Sequence, residues 1–123
     1  MIKIVNKHYH KPTTHDIYCG RGSPMGNPYS HMENTTALYK VDTREEAIEK
    51  YEPWFHKERM NNPTMYAYLN VMIGKAISGE DINLVCYCAP KDCHCRHIKT
   101  YVEEMIQGHQ RSYDEVFKSG PKL

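Results

Sequence analysis

The segment Ile82 to Cys88 constrains this chain more than any other, because Leu84, Val85, Cys86 and Tyr87 make it apolar on both faces. A strand of that kind is stable only in the middle of a sheet whose two faces are covered. It runs straight into Cys86-Tyr87-Cys88-Ala89-Pro90-Lys91-Asp92-Cys93-His94, so the central strand ends in a thiol-rich turn. A chain of 123 residues has apolar side chains for one such core, and every motif is therefore expected to serve one site.

Four of the five cysteines lie between positions 86 and 95. A disulfide framework would spread its thiols to close loops, whereas clustering points to a metal or to thiol chemistry in a reducing compartment. In an extended strand Cys86 and Cys88 would share a face about 7 Å apart. Cys93 and His94 would follow at the start of a helix, where amides and the dipole favour a thiolate. Cys86, Cys88, Cys93 and His94 thus match a closed Cys3His zinc site, with Cys95 and His97 near enough in sequence to substitute. Other readings are an iron–sulfur cluster, reduced cysteines that only fill a tight turn, and a nucleophilic Cys93 thiolate activated by neighbouring histidines.

The remaining signals describe an α/β domain: a short central sheet, mostly parallel and Rossmann-like, flanked by about three helices. Ile2, Ile4 and Val5 read as a first strand, and Asp16 to Cys19 as a second. Between them, Lys7 to His15 is a polar stretch holding three histidines and a proline. Ser30 to Lys40 reads as irregular or partly extended. The capping box Thr43-Arg44-Glu45-Glu46 predicts a helix from Asp42 or Thr43, which Pro53 should kink or interrupt. Asn62-Pro63 opens a second helix with Met65, Leu69, Met72, Ile73, Ala76 and Ile77 at helical spacing, stopped by Gly79. A third is expected from about His94 to Gln107, ended by Gly108, which makes residues 1–108 the domain and 109–123 a polar tail. Ten tyrosines and seven methionines suit amphipathic packing around a small core.

Gly20-Arg21-Gly22-Ser23-Pro24-Met25-Gly26-Asn27-Pro28 cannot be a helix interior or a central strand; three glycines and two prolines in nine residues specify a shaped loop. The amides of Gly20 and Gly22, the Arg21 fork and the Ser23 hydroxyl suit a phosphate or carboxylate, and Asn27 could bond a nucleobase edge. A purely structural turn accounts for the same residues equally well. The segment is neither a Walker A loop nor a dinucleotide fingerprint, since Gly20, Gly22 and Met25 break the latter spacing.

Three motifs in order, Asp16 to Pro28, Thr43 to Tyr51 and Leu84 to His94, resemble the family called domain of unknown function 4326, small proteins of phages and bacteria. The resemblance spans roughly residues 2 to 106. It implies that the glycine loop and the cysteine turn share one site, and brings no activity with it. Cys19 stands where the family usually has an aliphatic residue, Cys95 where it has glycine, and Arg96 where an acidic residue is common. The connection around Met32 to Lys40 is longer than usual.

Sixteen basic against fifteen acidic residues leave little overall field to attract duplex nucleic acid or an anionic membrane, although Lys91, Arg96, Lys99 and the histidines could form a local patch. No apolar run approaches the roughly 20 residues of a membrane span, and the amino end lacks a leader pattern. The expectation is a cytoplasmic protein, in the host cytoplasm if phage-encoded. The first functional reading is a domain that binds a nucleotide or other phosphate-bearing ligand beside a zinc site. An enzyme version, a hydrolase or transferase, would use Cys93, His94 or His97. Alternatives are a zinc-stapled module that binds a host or phage protein, and a nucleic-acid-binding protein.

Overall fold

The computed structural model describes residues 1–33 and 37–118. Its main sheet has the strands β1 (Ile2–Asn6), β2 (Asp16–Tyr18) and β5 (Ile82–Cys86), all parallel, in the order β1-β5-β2. The run that is apolar on both faces is therefore the central strand. Ile82, Leu84 and Cys86 point to one side, with Ile2, Ile4 and Ile17 beside them in register. Ile82 and Leu84 are fully buried, each worth roughly 1.5–3 kcal/mol in apolar transfer.

Among the described residues three helices complete an α/β domain. Helix α1 spans Arg44–Asn61, α2 spans Pro63–Ile77 and α3 spans Cys95–Lys118. Thr43 caps α1 by accepting from the Glu46 amide, while the Glu46 carboxylate accepts from the Asp42 amide. Asn62 caps α2 by accepting from the amides of Thr64 and Met65, with Pro63 in the first turn. Gly79, at φ +86°, takes the left-handed conformation that stops the chain after α2. The buried faces of these helices, Tyr51 and Phe55 on α1, Met65, Leu69 and Met72 on α2, Ile98 and Val102 on α3, meet the inner face of the sheet in one core.

Three expectations are corrected. Helix α1 runs without a break through Pro53, which lies on its exposed face, so the carbonyl that loses its partner is on the water side. Helix α3 starts one residue later than expected and passes through Gly108 to Lys118. Gly108 has no left-handed φ, and its helix cost of about 1 kcal/mol is carried by good helix formers on both sides and a Gln110–Asp114 bond one turn apart. Residues 109–118 are thus helical; the last part of the expected tail, 119–123, lies outside the described residues. Strand β5 stops at Cys86, two residues early, because β1 ends opposite it at Asn6 and β2 has already ended opposite Val85. The stretch expected to be irregular or partly extended contributes to a small parallel pair, β3 (Tyr29–Ser30) with β4 (Tyr39–Lys40), whose two tyrosine rings lie 5.1 Å apart; positions 34–36 of it lie outside the described residues.

Candidate functional site

Parallel strands collect ligand-bearing loops beyond their carboxyl ends, and here both singled-out loops leave from that edge. The cysteine turn follows β5 and the glycine loop follows β2. Asn6, at the end of β1, fastens the cysteine turn by donating to the carbonyls of Tyr87 and Ala89. The turn then passes through a cis Ala89–Pro90 peptide and enters α3.

The sulfurs of Cys86, Cys93 and Cys95 all lie within 4.8 Å of one another and all three residues are buried. The Cys93 thiol donates to the Cys86 sulfur at 3.5 Å. Cys88, which is partly exposed, contacts Cys86 and Cys93 at one end of the group, and Cys19 contacts Cys95 at the other. Charge is shared unequally across this cluster. Thiol hydrogen bonds from Cys88, Cys93 and Cys95 pull Cys86 far below the ordinary thiol range. Contact with Cys86 and Cys93 holds the Cys88 proton in place, and contact with Cys19, Cys86 and Cys93 does the same for Cys95. Against the opposing contact with Cys86, hydrogen bonds from Cys88 and Cys95 lower Cys93 as well, so negative charge is favoured on Cys86 and Cys93, and a bound cation would favour ionisation of the others. Three buried cysteines this close can bind a metal.

The expected ligand set is only partly assembled there. Cys86 and Cys93 are central, Cys88 has left the strand and sits at the edge, and Cys95 takes the place anticipated for His94. The reason is the His94 ring, whose Nε2 donates to the Cys19 carbonyl at 2.6 Å and packs edge-on against Tyr51. Burial pushes the His94 pKa down, which favours the neutral ring, and with Nε2 donating, Nδ1 is then the nitrogen that carries the lone pair. His97 is bound to α1 through both nitrogens, Nε2 to the Ile48 carbonyl at 3.0 Å and Nδ1 to Glu52 at 2.8 Å.

The two loops do meet. A cavity of about 520 Å³ is lined on one side by Gly20, Arg21 and Asn27, and on the other by Cys86, Cys88, Cys93 and His94. Tyr18, Tyr29 and Tyr87 supply aromatic walls, and the first turns of α1 contribute Arg44, Ala47 and Ile48. Among the described residues no carboxylate lines it, while Arg21 and Arg44 both do. The Arg44 guanidinium donates to the Asp92 carbonyl and to the Cys88 sulfur, which places a fixed positive charge beside the thiols.

Several glycine-loop residues hold the loop itself. Ser23 Oγ donates to the Gly20 carbonyl and accepts from the Met25 amide. Asn27 donates to the Ala47 carbonyl on α1 and accepts from the Tyr29 amide. Arg21 spends Nε and one terminal nitrogen on the carbonyls of Asn27 and Tyr29. Gly26 is needed for close approach, since a Cβ there would stand 2.8 Å from the Gly20 carbonyl oxygen. Lys91, Arg96 and Lys99 line a separate recess of about 360 Å³ on the far side of Cys93, together with Asp92 and Glu103. Arg96 is paired there with Asp92 at 2.9 Å.

Sequence reasoning missed Arg44 and the three cavity tyrosines. Arg44 was hidden inside a motif that reads as a helix start, and nothing next to it in the sequence shows that its guanidinium reaches the Asp92 carbonyl and the Cys88 sulfur.

Fold and site together define a small α/β domain with a parallel sheet, a buried thiol cluster and a cationic cavity at the carboxyl edge of the strands. The chain belongs to the family described as domain of unknown function 4326, whose profile matches residues 3–104. No curated protein and no solved structure matches it. Among the described residues no helix is long and apolar enough to cross a membrane.

Proposed function

We propose that this domain binds a nucleotide-class ligand in the cavity between the glycine loop and the cysteine turn, with a zinc ion held by the thiols at its edge. The observation that carries the reading is one cavity with two arginines, three tyrosines and no acidic lining residue among those described. Its volume falls within the usual range for small-molecule sites. Two guanidinium groups favour phosphate oxygens, and tyrosine faces suit a flat base. His94 stands on the same wall, and with Nε2 bonded to the Cys19 carbonyl its Nδ1 is the nitrogen left to accept from a ligand.

Cys86, Cys93 and Cys95 would hold the zinc, with Cys88 the nearest fourth sulfur. Four thiolates would close the coordination sphere, so the ion would brace the turn that carries Tyr87 and Cys88. This reading gives no part in ion binding to His94, and none in the cavity to His97.

Calorimetric titration with inorganic phosphate and with nucleoside mono-, di- and triphosphates tests it. At least one nucleotide should bind, and Arg44→Ala should weaken it at least about 10-fold, as expected for loss of a charge-assisted contact. Arg96→Ala, which lies outside the cavity, should leave affinity unchanged. Equal affinity of the wild-type and Arg44→Ala proteins would overturn the assignment.

A further inference from the structure

The stretch Lys7 to His15 stands out in the sequence and is not used by the cavity. There is no acidic residue before Asp16, whereas Lys3, Lys7, Lys11, His8, His10 and His15 all precede it. The stretch begins where β1 ends, so its first turn lies at the same edge of the sheet as the cavity. That turn is built rather than loose. The Lys7 amide donates to the Cys86 carbonyl at 2.7 Å, the amides of Tyr9 and His10 donate to the Asn6 carbonyl, and the His8 amide donates to the Asn6 side chain. Asn6 in turn donates to Tyr87 and Ala89, which fixes this turn to the cavity wall.

Its side chains join the cavity tyrosines in a continuous track. Lys7 Nζ lies 5.0 Å from the centre of the Tyr18 ring and 5.8 Å from that of Tyr87. Tyr18 and Tyr87 meet edge to face at 6.2 Å, and both line the cavity. The His8 ring is 5.1 Å from Tyr87, and Tyr9 touches His8 at 6.5 Å. Tyr87 keeps 47% of its surface open and Tyr9 keeps 86%. A lysine ammonium set beside open aromatic faces suits a single strand of nucleic acid, with a phosphate on the former and bases on the latter.

We infer that the ligand is the phosphate-bearing end of a single-stranded oligonucleotide, with its terminal nucleotide in the cavity and the next ones on the Lys7-His8-Tyr9 track. The inference rests on the cavity reading above and extends it from a nucleotide to a strand. Near-neutral overall charge disfavours a duplex but not a short strand held by a local track. Stacking is tolerant of sequence, so little base preference is expected along the track.

The test compares matched mononucleotides with 5′-phosphorylated and 3′-phosphorylated single-stranded pentanucleotides, DNA and RNA, by competition anisotropy. A pentanucleotide should bind on the order of 10-fold or more tighter than its mononucleotide. The Tyr9→Ala variant, altered at an open side chain that touches only His8 on the track, should erase most of that gain while leaving mononucleotide affinity unchanged. Equal affinities for the two ligand lengths, or a gain that survives Tyr9→Ala, would overturn the strand inference and leave the cavity reading intact. Pentanucleotide binding that is indifferent to Arg44→Ala, with no mononucleotide bound, would overturn the cavity reading and with it the placement of the strand end.

Discussion

Tyr51→Phe removes one oxygen from the middle of the site. The Tyr51 side chain is fully buried, and its hydroxyl donates to the Met25 carbonyl at 2.7 Å. Its ring also packs against Phe55 at 5.6 Å and His94 at 4.8 Å, contacts that phenylalanine keeps. What changes is one bond between α1 and the glycine loop, leaving a buried carbonyl without that donor. Such a loss costs about 1–3 kcal/mol, and the absence of any new cavity places the expected value near 2 kcal/mol. For a chain of this size that corresponds to a fall in Tm of roughly 5–10 °C. Urea unfolding followed by circular dichroism should show a lower midpoint with an unchanged slope, because the surface exposed on unfolding is the same. A loss below about 0.5 kcal/mol would refute the view that this hydroxyl holds the loop to the helix.

Gly26→Ala should destabilise by at least about 2 kcal/mol, since its Cβ would stand 2.8 Å from the Gly20 oxygen and 2.9 Å from the Arg21 Cα, both backbone atoms; thermal unfolding equal to wild type would contradict the close approach. Asp16, despite the opposing pull of partial burial, is drawn down to about 2 by the Thr13 amide, His10, Asn83 and the Thr13 hydroxyl. Its folded pKa lies below its unfolded one, so the stabilisation is present above about pH 4 and is lost as pH falls towards 2. Asp16→Asn should flatten that part of the acid-unfolding curve, and an unaltered profile would refute the linkage. Cys95→Ser should lower bound zinc per chain and His94→Gln should not, as read by elemental analysis after gel filtration; the reverse result would restore the histidine as a ligand.

The elements that sequence made legible are those whose signal is local. The two-faced apolar run had to be central, Asn62-Pro63 is a helix start in two residues, and two loops leaving parallel neighbours had to meet at one edge. The misreadings depend on partners distant in the chain. Whether β5 reaches Cys88 is decided by where β1 and β2 end, and the direction in which the His94 ring is bonded is set by the Cys19 carbonyl, 75 residues away. Gly108 reads as a stop only if the chain takes a left-handed turn, which nothing next to it in the sequence requires. Ser23 and Asn27 have the chemistry to bind a ligand, but here they bond the loop and α1, a distinction that residue type cannot carry. Arg44 could be read as a helix residue from its neighbours, whereas its place against Cys88 could not.

The most direct test is a crystal structure of the zinc-loaded protein soaked with a nucleotide, with anomalous data collected at the zinc edge. The account predicts an anomalous peak among the sulfurs of Cys86, Cys93 and Cys95, with the nucleotide phosphate against Arg44 in the adjoining cavity. Thiols without a metal peak, or a nucleotide bound elsewhere on the molecule while the cavity stays empty, would contradict it.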